Sequence, residues 1–230
     1  MSASPSRLIA LIPAAGSGSR MGLPAPKQYL RLGAATMLEL TAQALAQDPR
    51  IGRIAIVVAA DDGRWRELSF PPQVEVLAVG GATRAETVRN GLAALGAQDH
   101  DWVLVHDAAR PCLSRAELAR LIDELTDDAV GGLLAVPLAD TLKRGESGRV
   151  AATIDRQGLW RAATPQMFRA GVLAQALAGD VAAITDEASA VERAGLAPRL
   201  VEGEATNLKV TLPADEALAR AILQLQGRLS

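Results

Sequence analysis

The chain reads as an α/β protein built on a doubly wound, mostly parallel twisted sheet, with a β-hairpin arm projecting from it. Three observations predict this. Aliphatic runs alternate with stretches of helical pattern along the chain. Strands separated by helices need crossover connections, and so run parallel. The runs are continuously apolar rather than alternating, as strands covered on both faces are.

Taken in order, residues 8–12 (LIALI) form the first strand, and a helix runs from Thr36 to Gln47, stopped by Asp48 and Pro49. Residues 53–60 and 74–79 are the second and third strands. Thr83 and Glu86 have capping-box spacing and open a helix reaching about Leu95, and Ser114 and Glu117 repeat that spacing for a helix reaching about Leu125. Between them, residues 101–109 are the fourth strand and its exit; residues 131–138 are the fifth. Residues 139–157 are polar and turn at Gly145 and Gly148, which reads as the hairpin arm. A lone hairpin is marginal, so this one needs a surface to pack on. Helices near 169–179 and 185–195, a short strand at 198–203 and a last helix from about Pro213 complete the chain. With no repeat and no low-complexity linker, residues 1–230 read as one domain, the arm at about 139–157 lying within it.

Composition narrows the class. Hydrophobic residues are 49% of the chain and charged residues 22%, as in a globular protein, while aromatics are only 3%, so aliphatic side chains must build the core. A net charge of −2 gives no general attraction to nucleic acid, although a local cationic site is compatible with it. One cysteine, Cys112, excludes an intrachain disulfide and a cysteine-cluster metal site, and reads as a small core residue. Arg7 followed by LIALIPAAG faintly resembles a secretion signal, but Pro13 interrupts the short run; it reads as the first strand of a cytoplasmic protein. No apolar run approaches the ~20 residues of a membrane helix.

The chemistry starts where the first strand ends. Residues 13–27 carry Gly16, Gly18 and Gly22 together with Arg20 and Lys27. In open α/β sheets ligands bind beyond the carboxyl ends of the strands. Glycines let backbone N–H groups approach phosphate oxygens, Arg20 can fork onto those oxygens, and Lys27 adds a compact charge. The loop reads as a triphosphate cradle. It is neither G-x-G-x-x-G, since position 21 is Met, nor a P-loop, since no Gly-Lys-Ser/Thr follows. Asp107, at the end of the fourth strand, is suited either to bonding ligand hydroxyls or to capping the turn at 108–111. His106 reads as a packed histidine, and Arg156 on its own as a solvated charge.

Further motifs follow in order: GGATRAETV (80–88), VHDAARP (105–111), DTLK (140–143), DRQGLWRAATPQMF (155–168), TDEAS (185–189) and NLKVT (207–211). With the AAGxGxRM…PK loop, this ordered set resembles the 2-C-methyl-D-erythritol 4-phosphate cytidylyltransferases of the non-mevalonate isoprenoid pathway, nucleotidyltransferases of Rossmann-like fold, from about Leu8 to about Leu225. The resemblance implies that CTP and 2-C-methyl-D-erythritol 4-phosphate give the CDP-alcohol and pyrophosphate by direct attack of the acceptor phosphate on the α-phosphorus. It implies Arg20, Lys27 and Lys209 as catalytic cations, and Mg²⁺ bridging the CTP phosphates with few protein ligands. Base and ribose recognition fall to Pro13, Ala14, Ala15, Gly16, Gly81, Ala82 and Thr87. Thr87 keeps a hydroxyl where the family commonly has Ser; Ala82 stands where a polar residue is often found. The acceptor pocket is implied to use Asp107, Arg110, Thr164 and Thr185. Thr141 and Arg156 are implied to grip the acceptor phosphate across the interface of a homodimer formed through the arm, Arg156 taking part in catalysis. Neither nucleic acid nor membrane is an implied partner. A ribitol 5-phosphate cytidylyltransferase would share the CTP cradle and differ around the acceptor. A guanylyl- or uridylyltransferase is a more distant alternative, and a nucleotide-binding regulator without chemistry fits poorly with Arg20, Lys27 and Lys209 all present.

Overall fold

The computed structural model describes residues 6–16 and 26–229. Strand β1, Leu8–Pro13, leads to a 3-10 turn at Lys27–Tyr29 and two short paired strands, β2 (Arg31–Leu32) and β3 (Ala35–Thr36). Helix α1, Met37–Ala46, starts on a capping box: Thr36 accepts from the Glu39 N–H, and the Glu39 side chain accepts from the Thr36 N–H. Strand β4 is Ile51–Val57, and β5, Val74–Leu77, follows a 3-10 turn. The expected box of Thr83 and Glu86 opens α2, Arg84–Leu95, which ends on Gly96 at φ 59°. Such a left-handed helix end is one that glycine adopts without a Cβ penalty. Strand β6 (Trp102–Val105), helix α3 (Arg115–Leu125) and strand β7 (Gly131–Pro137) come next.

Helix α3 departs from expectation at its first turn. The Ser114 hydroxyl accepts from the Glu117 N–H at 3.1 Å, but Glu117 does not return to the Ser114 N–H. Its side chain is fully buried and accepts instead from the Glu204 N–H at 2.7 Å. The box spacing is present; tertiary packing redirects half of it.

Beyond β7 come β8 (Leu142–Glu146) and β9 (Arg149–Ile154), an antiparallel pair joined to no other strand. Most of its residues are exposed and none is buried, Val150 being among the exposed. Strand β10, Trp160–Arg169, helices α4 (Ala170–Ala176) and α5 (Glu187–Arg193), strand β11 (Arg199–Glu202) and helix α6 (Pro213–Leu225) complete the chain.

The main sheet has seven strands in the order β11-β7-β10-β6-β1-β4-β5. All run the same way except β10, which is antiparallel to both its neighbours. Residues 160–169 lack a strand signature because Pro165 and paired alanines interrupt it. The ladder with β7 shifts register between Ala162 and Gln166, and proline, which has no N–H to give, is tolerated at such an irregularity.

Side chains of β1 divide the core. Ala10 and Ile12 pack under α1 and α3; Ile9 and Leu11 face α2, α4 and α5. A third cluster joins α6 to Leu32, Met37 and Cys112. Cys112 is buried there, and burial pushes its thiol up to about 11, so it is a core residue, as its sequence position suggests. Among the described residues no helix is long and apolar enough to cross a membrane.

Candidate active site

The carboxyl ends of β1 and β6 open onto a cavity of about 230 Å³. Its rim begins with Pro13, Ala14, Ala15 and Gly16, the exit of β1. Ala14 N–H bonds Val57 C=O at 2.8 Å, prolonging the sheet one residue past the strand. Buried Gln28 then closes the loop: its Nε2 donates to Ala14 C=O at 2.8 Å and to Gly16 C=O at 3.1 Å. Sequence reasoning missed Gln28; its position next to Lys27 was the available signal. Arg20 and Gly18 lie outside the described residues.

Gly81, Ala82 and Thr87 line the opposite wall. Gly80 is needed for that approach, since a Cβ there would stand 2.4 Å from Ala15 Cβ and 2.8 Å from Val58 C=O. The Thr87 hydroxyl is engaged within the wall. It donates to Thr83 C=O at 2.9 Å and accepts from Gly81 N–H at 3.1 Å, so it shapes the Gly81 turn. Lys27 and Lys209 line the same cavity, and Lys27 Nζ donates to Val210 C=O at 2.9 Å, linking the loop after β1 to the NLKVT segment.

A second cavity of about 190 Å³ adjoins the first and is lined by Asp107, Arg110, Thr164 and Thr185. Four residues expected to hold the acceptor thus meet in one place. The register explains Thr164: Gln166 stands opposite Val105 in the antiparallel ladder, which brings Thr164 level with Asp107. Arg84, Asp107 and Lys209 line both cavities and form their common wall.

That wall is an ion cluster. Asp107 Oδ1 accepts from Arg84 Nε at 2.9 Å; Asp107 Oδ2 lies 2.8 Å from Lys209 Nζ and 3.6 Å from Arg110 Nε. Burial opposes ionisation of Asp107, but Arg84, Lys209 and Arg110 outweigh it and hold the carboxyl well below the usual carboxylate range. Arg84 also grips Glu187 with both terminal nitrogens, at 2.7 and 3.0 Å. Arg84 was missed in the sequence although it stands inside GGATRAETV. Nothing in a linear motif says that its guanidinium crosses to Asp107 and to the TDEAS segment.

His106 sits behind the wall. Its Nε2 faces the Arg110 carbonyl at 3.1 Å, which can only accept, so Nε2 carries the proton. Nδ1 therefore accepts from the Thr164 hydroxyl at 3.0 Å, and that hydroxyl accepts from the Asp107 N–H at 3.0 Å. Every polar group in the relay is satisfied. Burial pushes the imidazole down to about 4, so it is neutral at pH 7 and positions Asp107 rather than exchanging protons. This agrees with the packed histidine that the sequence suggests.

Two expected residues stand apart. Thr141 and Arg156 are exposed and line neither cavity; Arg156 donates to Ala139 C=O and borders a separate depression beside Trp160. Within one chain, the structure does not bring them to the site. A larger cavity, about 680 Å³, opens at the opposite end of the strands, by the amino ends of β1, β4 and β6, near Arg7, Trp102 and Arg169. Its arginines are held by the protein itself: Arg7 by Asp101, Arg50 by Asp48 and Asp123, Arg53 by Glu75, and Arg169 stacked on Trp102. The smaller, cation-walled pair lies where an α/β sheet binds ligands.

Comparison with known proteins decides the family. The family model for 2-C-methyl-D-erythritol 4-phosphate cytidylyltransferase matches residues 8–225. The chain belongs to this family. The enzyme of that name from Laribacter hongkongensis is 59% identical over 226 residues, covering 96% of this chain and 98% of that one. The Chromobacterium violaceum enzyme is 56% identical, covering 94% and 97%. A crystal structure of a 4-diphosphocytidyl-2C-methyl-D-erythritol synthase superposes with TM-score 0.86 at 48% identity, covering 96% of this chain and all of that one. The Thermus thermophilus cytidylyltransferase superposes with TM-score 0.78 at 31% identity, covering 95% and 99%. Family membership makes the chain a cytidylyltransferase, and the fold of the sheet matches those structures.

Proposed function

We propose that this cytidylyltransferase joins CTP to 2-C-methyl-D-erythritol 4-phosphate in a single displacement. A phosphate oxygen of the acceptor attacks the α-phosphorus of CTP, the bond to the β-phosphate oxygen breaks, and pyrophosphate leaves. The product is 4-diphosphocytidyl-2-C-methyl-D-erythritol. The observation that carries this reading is the pair of adjoining cavities with Arg84, Asp107 and Lys209 as their common wall. A nucleotide in one and an acceptor in the other would meet at that wall. The attacking group is already an anion, so positioning and charge stabilisation suffice and no general base is required.

In this reading Lys27 and Lys209 stabilise charge developing on the phosphates, together with Arg20. The main-chain groups of Pro13, Ala14, Ala15, Gly16, Gly81 and Ala82 recognise the nucleotide. Thr87 contributes by holding Gly81. Asp107, Arg110, Thr164 and Thr185 receive the acceptor, Arg110 being held to the Asn207 carbonyl at 2.7 Å.

Mg²⁺ would be brought by CTP and would supply neutralisation of charge on the triphosphate. The chain offers it no cage: Asp107 is the one carboxylate lining the nucleotide cavity among the described residues, and three cations already occupy it. Thr141 and Arg156 serve the partner's site in a homodimer, the β8–β9 hairpin crossing between subunits. This accounts for two family-motif residues that stand exposed and away from their own chain's cavities. The cytoplasm is the expected compartment.

The test is a pyrophosphate-release assay over CTP, UTP and GTP with 2-C-methyl-D-erythritol 4-phosphate or ribitol 5-phosphate as acceptor. Release should require CTP, Mg²⁺ and the methylerythritol phosphate together. Equal or faster turnover of ribitol 5-phosphate would defeat the acceptor assignment.

A further inference from the structure

Glu117 is a buried acid that the proposed reaction does not use. Its side chain has no exposure, and Asn207 is 3% exposed. Glu117 Oε1 accepts from the Glu204 N–H at 2.7 Å; Oε2 has no hydrogen-bond partner. Asn207 Oδ1 is likewise buried and unpartnered. The two side chains interact directly. Turning the Asn207 amide over does not resolve this. Its Nδ2 donates to Thr164 C=O at 2.9 Å, and the flipped amide would set oxygen against oxygen there.

Glu117 Oε2 and Asn207 Oδ1 are thus two buried acceptors without a donor, on side chains close enough to act on each other, at a cost comparable to a lost hydrogen bond for each. A single proton on Glu117 Oε2 satisfies both. We propose that Glu117 is a positioning residue that works as a neutral carboxylic acid, donating from Oε2 to Asn207 Oδ1 and so holding the 203–210 segment that presents Lys209.

What Asn207 ties together gives this its consequence. Its side chain holds Thr164 C=O, its main-chain carbonyl holds the Arg110 guanidinium, and Lys209 reaches Asp107 two residues further on. The segment is otherwise anchored by Val210 N–H to Ala109 C=O at 2.8 Å and by Lys27 to Val210 C=O. Gly203 leaves room for the acid, since a Cβ there would stand 2.9 Å from Glu117 Oε1.

The surroundings favour the neutral form. Burial pushes the Glu117 carboxyl up to about 7, and Glu204 adds to this; the Glu204 N–H, the Asn207 side chain and Arg120, one turn along α3, pull the other way. Arg110 also faces it, from the turn before α3. The elements packed on α3 present apolar groups: Leu134 from β7, Met167 from β10, Val201 from β11 and Leu45 from α1. An acid held neutral by its site can donate a hydrogen bond at pH 7.

This inference rests on the role proposed above for Lys209, so its test has one arm that does not. First, the wild-type protein carrying ¹³C-labelled glutamate carboxyls is titrated by NMR beside Glu117→Gln. One carboxyl should titrate near pH 7 and vanish in the variant; if the resonance lost instead titrates in the ordinary range near pH 4.5, the neutral-acid assignment is overturned. Second, Glu117→Gln, which keeps one acceptor and one donor, should keep kcat within about threefold at pH 6.5, whereas Glu117→Leu should lower kcat about tenfold or more with CTP affinity little changed. A Gln variant as impaired as Leu would show that the anion is the working form and overturn the proposal. If the titration holds but Leu keeps full kcat, the positioning of Lys209 fails while the protonation stands. Should Leu not fold, the titration and the Gln kinetics still decide.

Discussion

Lys209 Nζ lies 2.8 Å from Asp107 Oδ2, joining the end of β6 to the segment after β11, while Arg84 holds the other oxygen of the same carboxylate. One buried acid thus collects Arg84 and Lys209 from distant parts of the chain and Arg110 from three residues on. Asp107→Asn keeps the shape and removes the charge. Leaving the cations uncompensated should cost about 2 kcal/mol or more of stability, read as a lower urea midpoint, because breaking a buried pair strands its partner. CTP should bind as tightly as before or tighter, since excess positive charge attracts the triphosphate. Turnover with the acceptor should nonetheless fall by about a hundredfold, because the carboxylate proposed to bind the acceptor is lost. A variant with weaker CTP binding and normal turnover would contradict this division of labour.

Lys27→Ala should lower kcat far more than it weakens CTP binding. A charge aimed at the reacting phosphorus acts mainly in the transition state, and one such contact is typically worth ~3–4 kcal/mol, or about two to three decades in rate. Lys209→Ala should behave similarly, and the double variant should fall short of the product of the two effects. Near-normal kcat in Lys27→Ala would assign Lys27 a structural role, such as its bond to Val210 C=O, in place of a catalytic one.

Arg156 should act in the partner's site. Arg156→Ala should raise KM for the acceptor and leave CTP binding intact, and Lys should substitute poorly, because it cannot clamp a phosphate at two points. Mixing Lys27→Ala with Arg156→Ala subunits should restore activity well above either parent, since each exchanged dimer then holds one site with both residues intact. Exchange confirmed by mass with no return of activity would sink the trans assignment.

His106 sets an acid limit on stability. Its pKa is depressed by burial from 6.5 to about 4 in the fold. The unfolded chain therefore binds the extra proton between those values, and the contribution present above pH 6.5 is lost as pH falls toward 4. A shift of this size corresponds to on the order of 3 kcal/mol. Glu117, raised to about 7, works in the opposite sense, its contribution being lost as pH rises from 4.5 toward 7. The difference between wild type and His106→Gln in urea unfolding isolates the histidine: its acid-side slope should be missing from the variant. Parallel curves for the two proteins would refute the neutral, fully hydrogen-bonded histidine.

The sequence alone was enough for much of this. Continuous aliphatic runs and capping residues are local signals, and they located β1, β4, β5, β6 and β7 and the helices that follow them, because buried parallel strands and helix starts are written in neighbouring residues. The glycine-rich exit from β1 and the ordered motifs likewise pointed to Lys27, Asp107 and Lys209, which line the two adjoining cavities. Tertiary structure decided what no window of sequence contains. It placed β10 antiparallel in the interior of the sheet, between β7 and β6, despite Pro165, because its neighbours supply the pairing that its own residues do not advertise. It set Arg84 between Asp107 and Glu187, and turned Glu117 from its expected cap toward Glu204 and Asn207. Ion pairs and buried hydrogen bonds depend on which chain segments meet in space, and a buried polar group takes its partner from whatever segment the folded core brings within reach.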